Sequence, residues 1–320
     1  MTRGDSLRAA MTALLLVTAG PAQAQTPTTV KLVVAFAPGG AVDILARILG
    51  DEIGRTQGVT VVVEDRPGAS GMIATDAVLH AAPDGGTLLV TSDPFVITPL
   101  LRRGTYDPLT AFEPVCKLVD TPAVFVVNGA SPFRTVNELI EAARRQPGGL
   151  TVASIGPANS YHLAVENLKR KANVDFTYVP YAGSAPAINA LLGGHVTSVL
   201  AAYPNAAEPM RSGQLRALAV ATRERVEALP DVPTIAESGY PDFALDNWFG
   251  MVAPARTAKA TLAQIETWFA AALKVKQVKD RLVAIGLYPS GLCGSQFGAF
   301  LRRQYEDYAD VIRSANVRAE

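Results

Sequence analysis

Buried, β-rich runs that turn through a glycine into a helix-period segment constrain this chain more than any other feature. Residues 30–36 make an apolar run and a glycine turn follows. Ala41, Ile44, Leu45, Ile48 and Leu49 then fall at i, i+3, i+4, i+7 and i+8, which lines one face of a helix. Residues 59–63 form a second β-rich run, the turn at Pro67-Gly68 leads to a helical stretch over residues 73–80, and residues 87–91 predict a third strand. Strand, helix, strand, helix, strand with short loops predicts a parallel sheet with helices packed on its faces.

The middle of the chain repeats the scheme. Thr135 and Glu138 stand three apart before Leu139 and Ile140, a capping box that predicts a helix start. Residues 151–154 predict a strand that meets the turn Ile155-Gly156-Pro157-Ala158-Asn159-Ser160, which opens a helix to about Lys171. Residues 176–181 predict the next strand. Ser184 as cap and Pro186 in the first turn start another helix, which Gly193-Gly194 ends. Residues 196–201 and 215–221 read as further strands. A Pro-rich connection over residues 228–239 leads to a strand at residues 248–253 and two long amphipathic helices, residues 259–284 and 295–314. The pattern predicts two α/β lobes: residues 25–122 begin lobe one, residues 123–222 build lobe two, and residues 223–320 return to complete lobe one.

The chain's beginning reads differently. Arg3 and Arg8 precede an apolar stretch over residues 9–18, and Ala22-Gln23-Ala24 supplies small residues for cleavage, so residues 1–24 predict a secretory leader. The stretch is too short for a bilayer span, which needs about 20 apolar residues. With 29 basic and 29 acidic side chains and no basic run, neither nucleic acid nor an anionic membrane surface is an expected partner. Only Cys116 and Cys293 remain for an oxidising compartment; they either bridge or stay two small buried hydrophobes. His80, His162 and His195 have no ligand spacing with each other or with the cysteines, so no metal is expected.

Two segments share one construction, a buried strand running into a glycine-containing turn whose last residues begin a helix. They are Ala35-Phe36-Ala37-Pro38-Gly39-Gly40-Ala41-Val42-Asp43 and Ala153-Ser154-Ile155-Gly156-Pro157-Ala158-Asn159-Ser160. A helix start leaves backbone N–H groups unpaired and carries about half a positive charge, so each turn is a candidate anion seat. Glycine there lets a guest approach the backbone. Such turns also occur for packing reasons alone. Asp43 stands where a dinucleotide fingerprint needs a small residue, no P-loop is present, and neither Gly183-Ser184-Ala185 nor Ala69-Ser70-Gly71 makes a nucleophile elbow. Ser160 and His162, two apart, do not orient a base on a nucleophile; they read as a helix cap and a capping or cleft-lining histidine. Asp43 and Arg47 read either as an i,i+4 surface pair or as a carboxylate holding water or a ligand donor at the helix mouth.

Phe36-Ala37-Pro38-Gly39-Gly40-Ala41-Val42-Asp43-Ile44-Leu45-Ala46-Arg47, Val62-Val63-Glu64-Asp65-Arg66-Pro67-Gly68-Ala69-Ser70-Gly71 and Ala82-Pro83-Asp84-Gly85 resemble the Bug (TctC-like) family of periplasmic solute-binding proteins. The likeness continues through His162-Leu163-Ala164, Val179-Pro180-Tyr181-Ala182-Gly183-Ser184-Ala185-Pro186-Ala187, Leu191-Leu192-Gly193-Gly194, Leu229-Pro230-Asp231-Val232-Pro233-Thr234, Trp248-Phe249-Gly250 and Ala253-Pro254-Ala255. It implies a two-lobed Venus-flytrap fold, type II-like, that captures a small carboxylate for the membrane subunits of a tripartite tricarboxylate transporter, in the periplasm, with no catalysis and no cofactor. It implies ligand contacts mainly from backbone amides and ordered water at the two turns. The expected ligand-binding residues are Phe36, Pro38, Gly39, Gly40, Ala41, Asp43, Ser92, Phe95, Gly156, Asn159, Ser160, Tyr161, His162, Tyr181, Gly183, Ser184 and Tyr203.

The sequence departs from the family's pattern where ligand choice is decided. Ala37 and Val42 replace a common proline and hydroxyl residue, and Asp93-Pro94-Phe95 replaces a small polar stretch. Pro157-Ala158-Asn159-Ser160-Tyr161 varies a Gly/Thr/Ser-rich loop, and Ala201-Ala202-Tyr203 lacks a common acidic or amide residue. These changes predict a guest with one carboxylate and an apolar or aromatic body lined by Phe95, Tyr161 or Tyr203; the alternative is that these rings pack the lobes. Two other functions compete with transport. A signalling receptor would use the same cleft, and a secreted α/β enzyme would need a nucleophile–base pair or a metal, neither of which is present in the sequence pattern.

Overall fold

The computed structural model describes residues 27–102, 106–155, 159–181, 183–245 and 247–314; the expected leader and Gly156 lie outside them. In chain order the elements are β1 (Thr29–Val34), α1 (Ala41–Gln57), β2 (Thr60–Asp65), α2 (Met72–Leu79), β3 (Thr87–Ser92), α3 (Pro94–Leu101), β4 (Phe112–Asp120), β5 (Ala123–Asn128) and α4 (Val136–Arg145). There follow β6 (Thr151–Ile155), α5 (Ser160–Ala172), β7 (Thr177–Tyr181), α6 (Ser184–Leu192), β8 (Ser198–Ala202), α7 (Tyr203–Arg211) and β9 (Leu215–Val220). The chain closes with β10 (Trp248–Pro254), α8 (Lys259–Lys274), α9 (Lys276–Ala284), β11 (Tyr288–Cys293) and α10 (Ser295–Ser314).

Strand composition decides the layering. β1 is apolar on both faces: Leu32 and Val34 enter the core shared with α1, α8 and α9, while Val33 joins Ala74, Phe95 and Phe300 from α2, α3 and α10 on the other side. β5 divides by the same parity, with Phe125 and Val127 facing α4 and α5 and Val124 and Val126 facing α6 and α7. Strands buried on both sides require helices on both sides, so each lobe has three layers. The helices obey their local signals. Gly58 ends α1 in the left-handed region at φ 68°, with its N–H on the Gly54 carbonyl. Thr135 Oγ1 accepts from Glu138 N at 3.2 Å, and Glu138 returns the bond to Arg134 N.

The first sheet has strand order β11-β4-β10-β3-β1-β2 and the second β7-β6-β8-β5-β9. In the first, β1 lies parallel to both β2 and β3; in the second, β6 lies parallel to both β7 and β8. The connections therefore reverse direction at β1 and at β6. Cys116 and Cys293, register partners on β4 and β11, are disulfide-bonded across a separation of 177 residues.

The chain passes from the first sheet to the second between Asp120 and Ala123. It returns later than the Thr222 boundary expected from the sequence. Val220 bridges Thr234, Leu245 N–H donates to Ala221 O, and Ile235, Phe243 and Leu245 fill the second lobe's core. The return falls at Asn247, whose carbonyl accepts from Thr121 N at 2.9 Å and ties the two crossing segments together. A second difference is in the C-terminal helices. The single helix expected over residues 259–284 is two, because Val275 takes extended backbone (φ −65°, ψ 122°).

Candidate ligand-binding cleft

Ligands of open α/β sheets bind beyond the carboxyl ends of the strands where the connections change direction. Here those places are the ends of β1 and β6, the two turns singled out above. They belong to facing edges of the lobes: Asp93, just past β3, accepts through Oδ2 from the N–H of Ser160, the first residue of α5, at 3.2 Å. On the same edges lie Ser92 beside Asp93, and Gly183 and Ser184 at the start of α6. Thus residues 36–43 and 92–93 of lobe one oppose residues 159–160 and 183–184 of lobe two.

In the first turn Gly39 adopts φ +77°, with open space where a Cβ would be, so glycine serves the conformation and leaves the surface bare. Gly40 is the N-cap of α1 and supplies no side-chain cap. The N–H groups of Ala41 and its successors are thereby left to the site. Asp43 is buried and folds back, its Oδ2 accepting from Gly39 N at 2.8 Å. Arg47 Nε lies 2.7 Å from Asp43 Oδ1 and its Nη2 3.0 Å from Asp65 Oδ2. Burial alone would raise the Asp43 pKa, but the bonds from Arg47 and Gly39 together hold it below its ordinary value of 3.8. Asp65, half-buried, is raised by its partial desolvation and by the neighbouring Asp43 charge. Asp43 therefore braces the turn from behind, and Arg47 offsets the negative charge it would bring to the seat.

The second turn is completed differently. Asn159 caps α5, its Oδ1 accepting from His162 N at 3.1 Å, so the cap expected of Ser160 belongs to its neighbour. Ser160 is fully buried and its Oγ has no partner in good geometry. Ser184 is likewise the first helical residue after the N-cap Gly183, and its Oγ accepts from Ala202 N at 3.4 Å. The His162 ring stacks on Tyr178, with centroids 4.3 Å apart, and its Nε2 lies 4.0 Å from Glu166, which turns it along the flank of its own lobe.

The expected aromatic lining is corrected. Phe95 is 1% exposed and packs on Tyr106 and Phe112 inside lobe one. Tyr161 is a core residue of lobe two whose hydroxyl accepts from Asn247 Nδ2 at 2.6 Å, so it secures the crossing segment. Both rings are drawn inward because their neighbours are apolar and large. Tyr203 packs toward Gly286 of lobe one, with its N–H on Pro122 O at 2.8 Å, beside the crossing rather than in the cleft. Tyr181 ends the edge strand β7 half-buried.

Two features escaped the sequence reading. Residues 68–71 all have positive φ, including Ala69 at 48° and Ser70 at 55°, and Gly71 lies against Ala35 at the end of β1. Such backbone is costly and concentrates where a loop is held for a guest; the signal was the Pro-Gly-Ala-Ser-Gly run itself. The other is Asp93. Asp-Pro ahead of an apolar run reads as a helix cap, but Asp93 makes no cap bond to α3 and reaches across to α5 instead. Burial pushes its carboxyl above the ordinary value, and the bonds from Ser160 and Ser92 offset this only in part. Among the described residues, no group of three or more His, Cys, Asp or Glu is placed to hold a metal ion, and no helix is long and apolar enough to cross a membrane.

Residues 45–317 match the model of the TctC family, the tripartite tricarboxylate transporter family receptor. The chain belongs to this family. Among its relatives, BugT of Bordetella pertussis is 33% identical over 292 residues, covering 90% of each chain. The solved periplasmic binding protein BugD superposes with a TM-score of 0.78 at 33% identity, covering 91% of this chain and 99% of that one. An R. palustris protein solved with adipate gives 0.80 at 31% identity, covering 91% and 98%. This TctC protein is thus a solute-binding receptor of a periplasmic binding family, whose members bind solutes rather than transform them. The two switch-point turns are its candidate ligand seats.

Proposed function

We propose that this TctC receptor is exported by the leader over residues 1–24 and captures a small carboxylate-bearing solute by closing its lobes, for the membrane subunits of a tripartite tricarboxylate transporter. The observation that carries the reading is the open N-terminus of α1, uncapped at Gly40 and set at the switch point of lobe one. A carboxylate held there needs no arginine. Each charge-assisted hydrogen bond contributes about 1.5–3 kcal/mol, so a few of them offset association costs and leave roughly 8 kcal/mol, a micromolar affinity. The R. palustris relative solved with adipate supports a carboxylate as the class of guest.

Closure requires two lobes joined by a narrow crossing, which residues 120–123 and 247 supply. A solute that contacts both lobes selects the closed population. Native mass spectrometry of freshly purified protein identifies the guest. Small-angle scattering with and without it is expected to show compaction, and an unchanged radius of gyration with the guest bound would overturn the closure mechanism.

A further inference from the structure

We propose that Asp93 fills the anion seat of lobe two from within the chain and so restricts this receptor to solutes with a single carboxylate. The inference rests on the reading of the protein as a carboxylate receptor. The two seats begin alike, as helix starts at switch points, yet they end unlike. At α1 the N-cap is glycine and no side chain caps it. At α5 the chain's own oxygens occupy the first turn: Asp93 Oδ2 takes Ser160 N and Asn159 Oδ1 takes His162 N. The Asp93 carboxylate is not a local cap, since it comes from the other lobe and makes no side-chain cap bond to α3, the helix that Asp93 precedes. Asp93 is 5% exposed, and the buried hydroxyl of Ser160 beside it lacks a partner in good geometry.

A dicarboxylate reaching across the cleft to the start of α5 would have to place its second charge where Asp93 already sits. Two carboxylates in one buried seat cannot both ionise without strong mutual cost. A monocarboxylate places its charge at the open seat of lobe one and leaves Asp93 undisturbed. On this proposal the chain takes a different class of guest from the R. palustris relative solved with adipate.

The test uses length-matched pairs, such as hexanoate with adipate and benzoate with terephthalate, titrated calorimetrically into the wild type, Asp93→Ser and Asp93→Asn at neutral pH. Thermal melts confirm that each variant folds. In the wild type the monoacid of the binding pair is expected to win. Asp93→Ser vacates the seat and should move the preference toward the diacid by about tenfold or more, the worth of one charge-assisted bond. Asp93→Asn keeps an oxygen acceptor for Ser160 N and removes only charge, so it should move the preference in the same direction by less. A wild type that takes the diacid as well as the monoacid overturns the role of Asp93 and leaves the receptor reading standing, as does an unchanged preference in folded Asp93→Ser. No binding of any acid by any of the three overturns the carboxylate reading itself, and this inference with it.

Discussion

Gly40→Asp separates the binding role of the first turn from its structural role. Gly40 has φ −75° and ψ 165°, a backbone that any residue adopts. An added Cβ would lie 3.1 Å from the Ala37 carbonyl oxygen, a contact relieved by a few tenths of an ångström. Aspartate is a good N-cap and its charge suits a helix start, which together contribute from a few tenths to about 1 kcal/mol. That gain roughly cancels the tight Cβ, so the melting temperature should barely move. Binding should respond very differently. The new carboxylate takes the N–H groups on which the guest depends; losing two charge-assisted bonds costs about 3–6 kcal/mol, or 10²- to 10⁴-fold in affinity. Calorimetry with the solute identified by native mass spectrometry reads the loss, and Gly40→Ala, which adds the Cβ without the charge, should lose much less. A folded Gly40→Asp protein within about threefold of wild-type affinity would refute the claim that these amides hold the guest.

Two further predictions concern stability. Replacing both Cys116 and Cys293 by serine releases a loop of 177 residues; chain entropy values that closure at about 5 kcal/mol, and at roughly 2 °C per kcal/mol the melting temperature should fall by about 10 °C. A fall under about 2 °C would contradict the entropic account. Asp43 has a folded pKa below its ordinary 3.8, so its contribution is complete above that value and disappears as pH falls through the lower, folded one. The stability gap between wild type and Asp43→Asn, read from urea midpoints, should therefore be widest near neutral pH and close in acid. A gap that stays constant down to about pH 3 would show that the bond to Gly39 N does not depend on the carboxylate's charge.

Sequence pattern revealed the parts of the fold that rest on unbroken periodicity. The span of α1, the capping box at Thr135 and the start of α10 at Ser295 lie where the pattern places them, although Ile44 of the expected α1 stripe is exposed and Val42 and Ala46 are buried beside Leu45, Ile48 and Leu49. Proline hid most of the rest. α3 contains Pro99, α7 contains Pro209 and β11 contains Pro289, each breaking the local signal although the tertiary setting tolerates it. In β4, Pro114 sits where the ladder to β10 shifts register, so an interior strand accommodates a residue that cannot donate. The late return to lobe one was equally hidden, because residues 223–245 have little regular structure and are tied to the second sheet by scattered bonds and the buried apolar side chains of Ile235, Phe243 and Leu245.

The candidate site rests on backbone features that sequence shows and on side chains that it misplaces, for a physical reason. A strand-to-helix turn with glycine is a local arrangement, so spacing alone locates it. Where an aromatic ring or a carboxylate points depends on what the other lobe presents. Phe95, Tyr161 and Asp93 all stand close to the expected cleft in sequence, yet the apolar surroundings drew both rings into the cores. Asp93 had no comparable option. A buried carboxylate must find donors, and the start of α5 in the opposing lobe offered the Ser160 N–H. The same demand that a solute carboxylate would make on that helix is thus met by a residue of the chain, which bonds the lobes to each other at one candidate seat while the other helix start, at Gly40, has no side-chain cap.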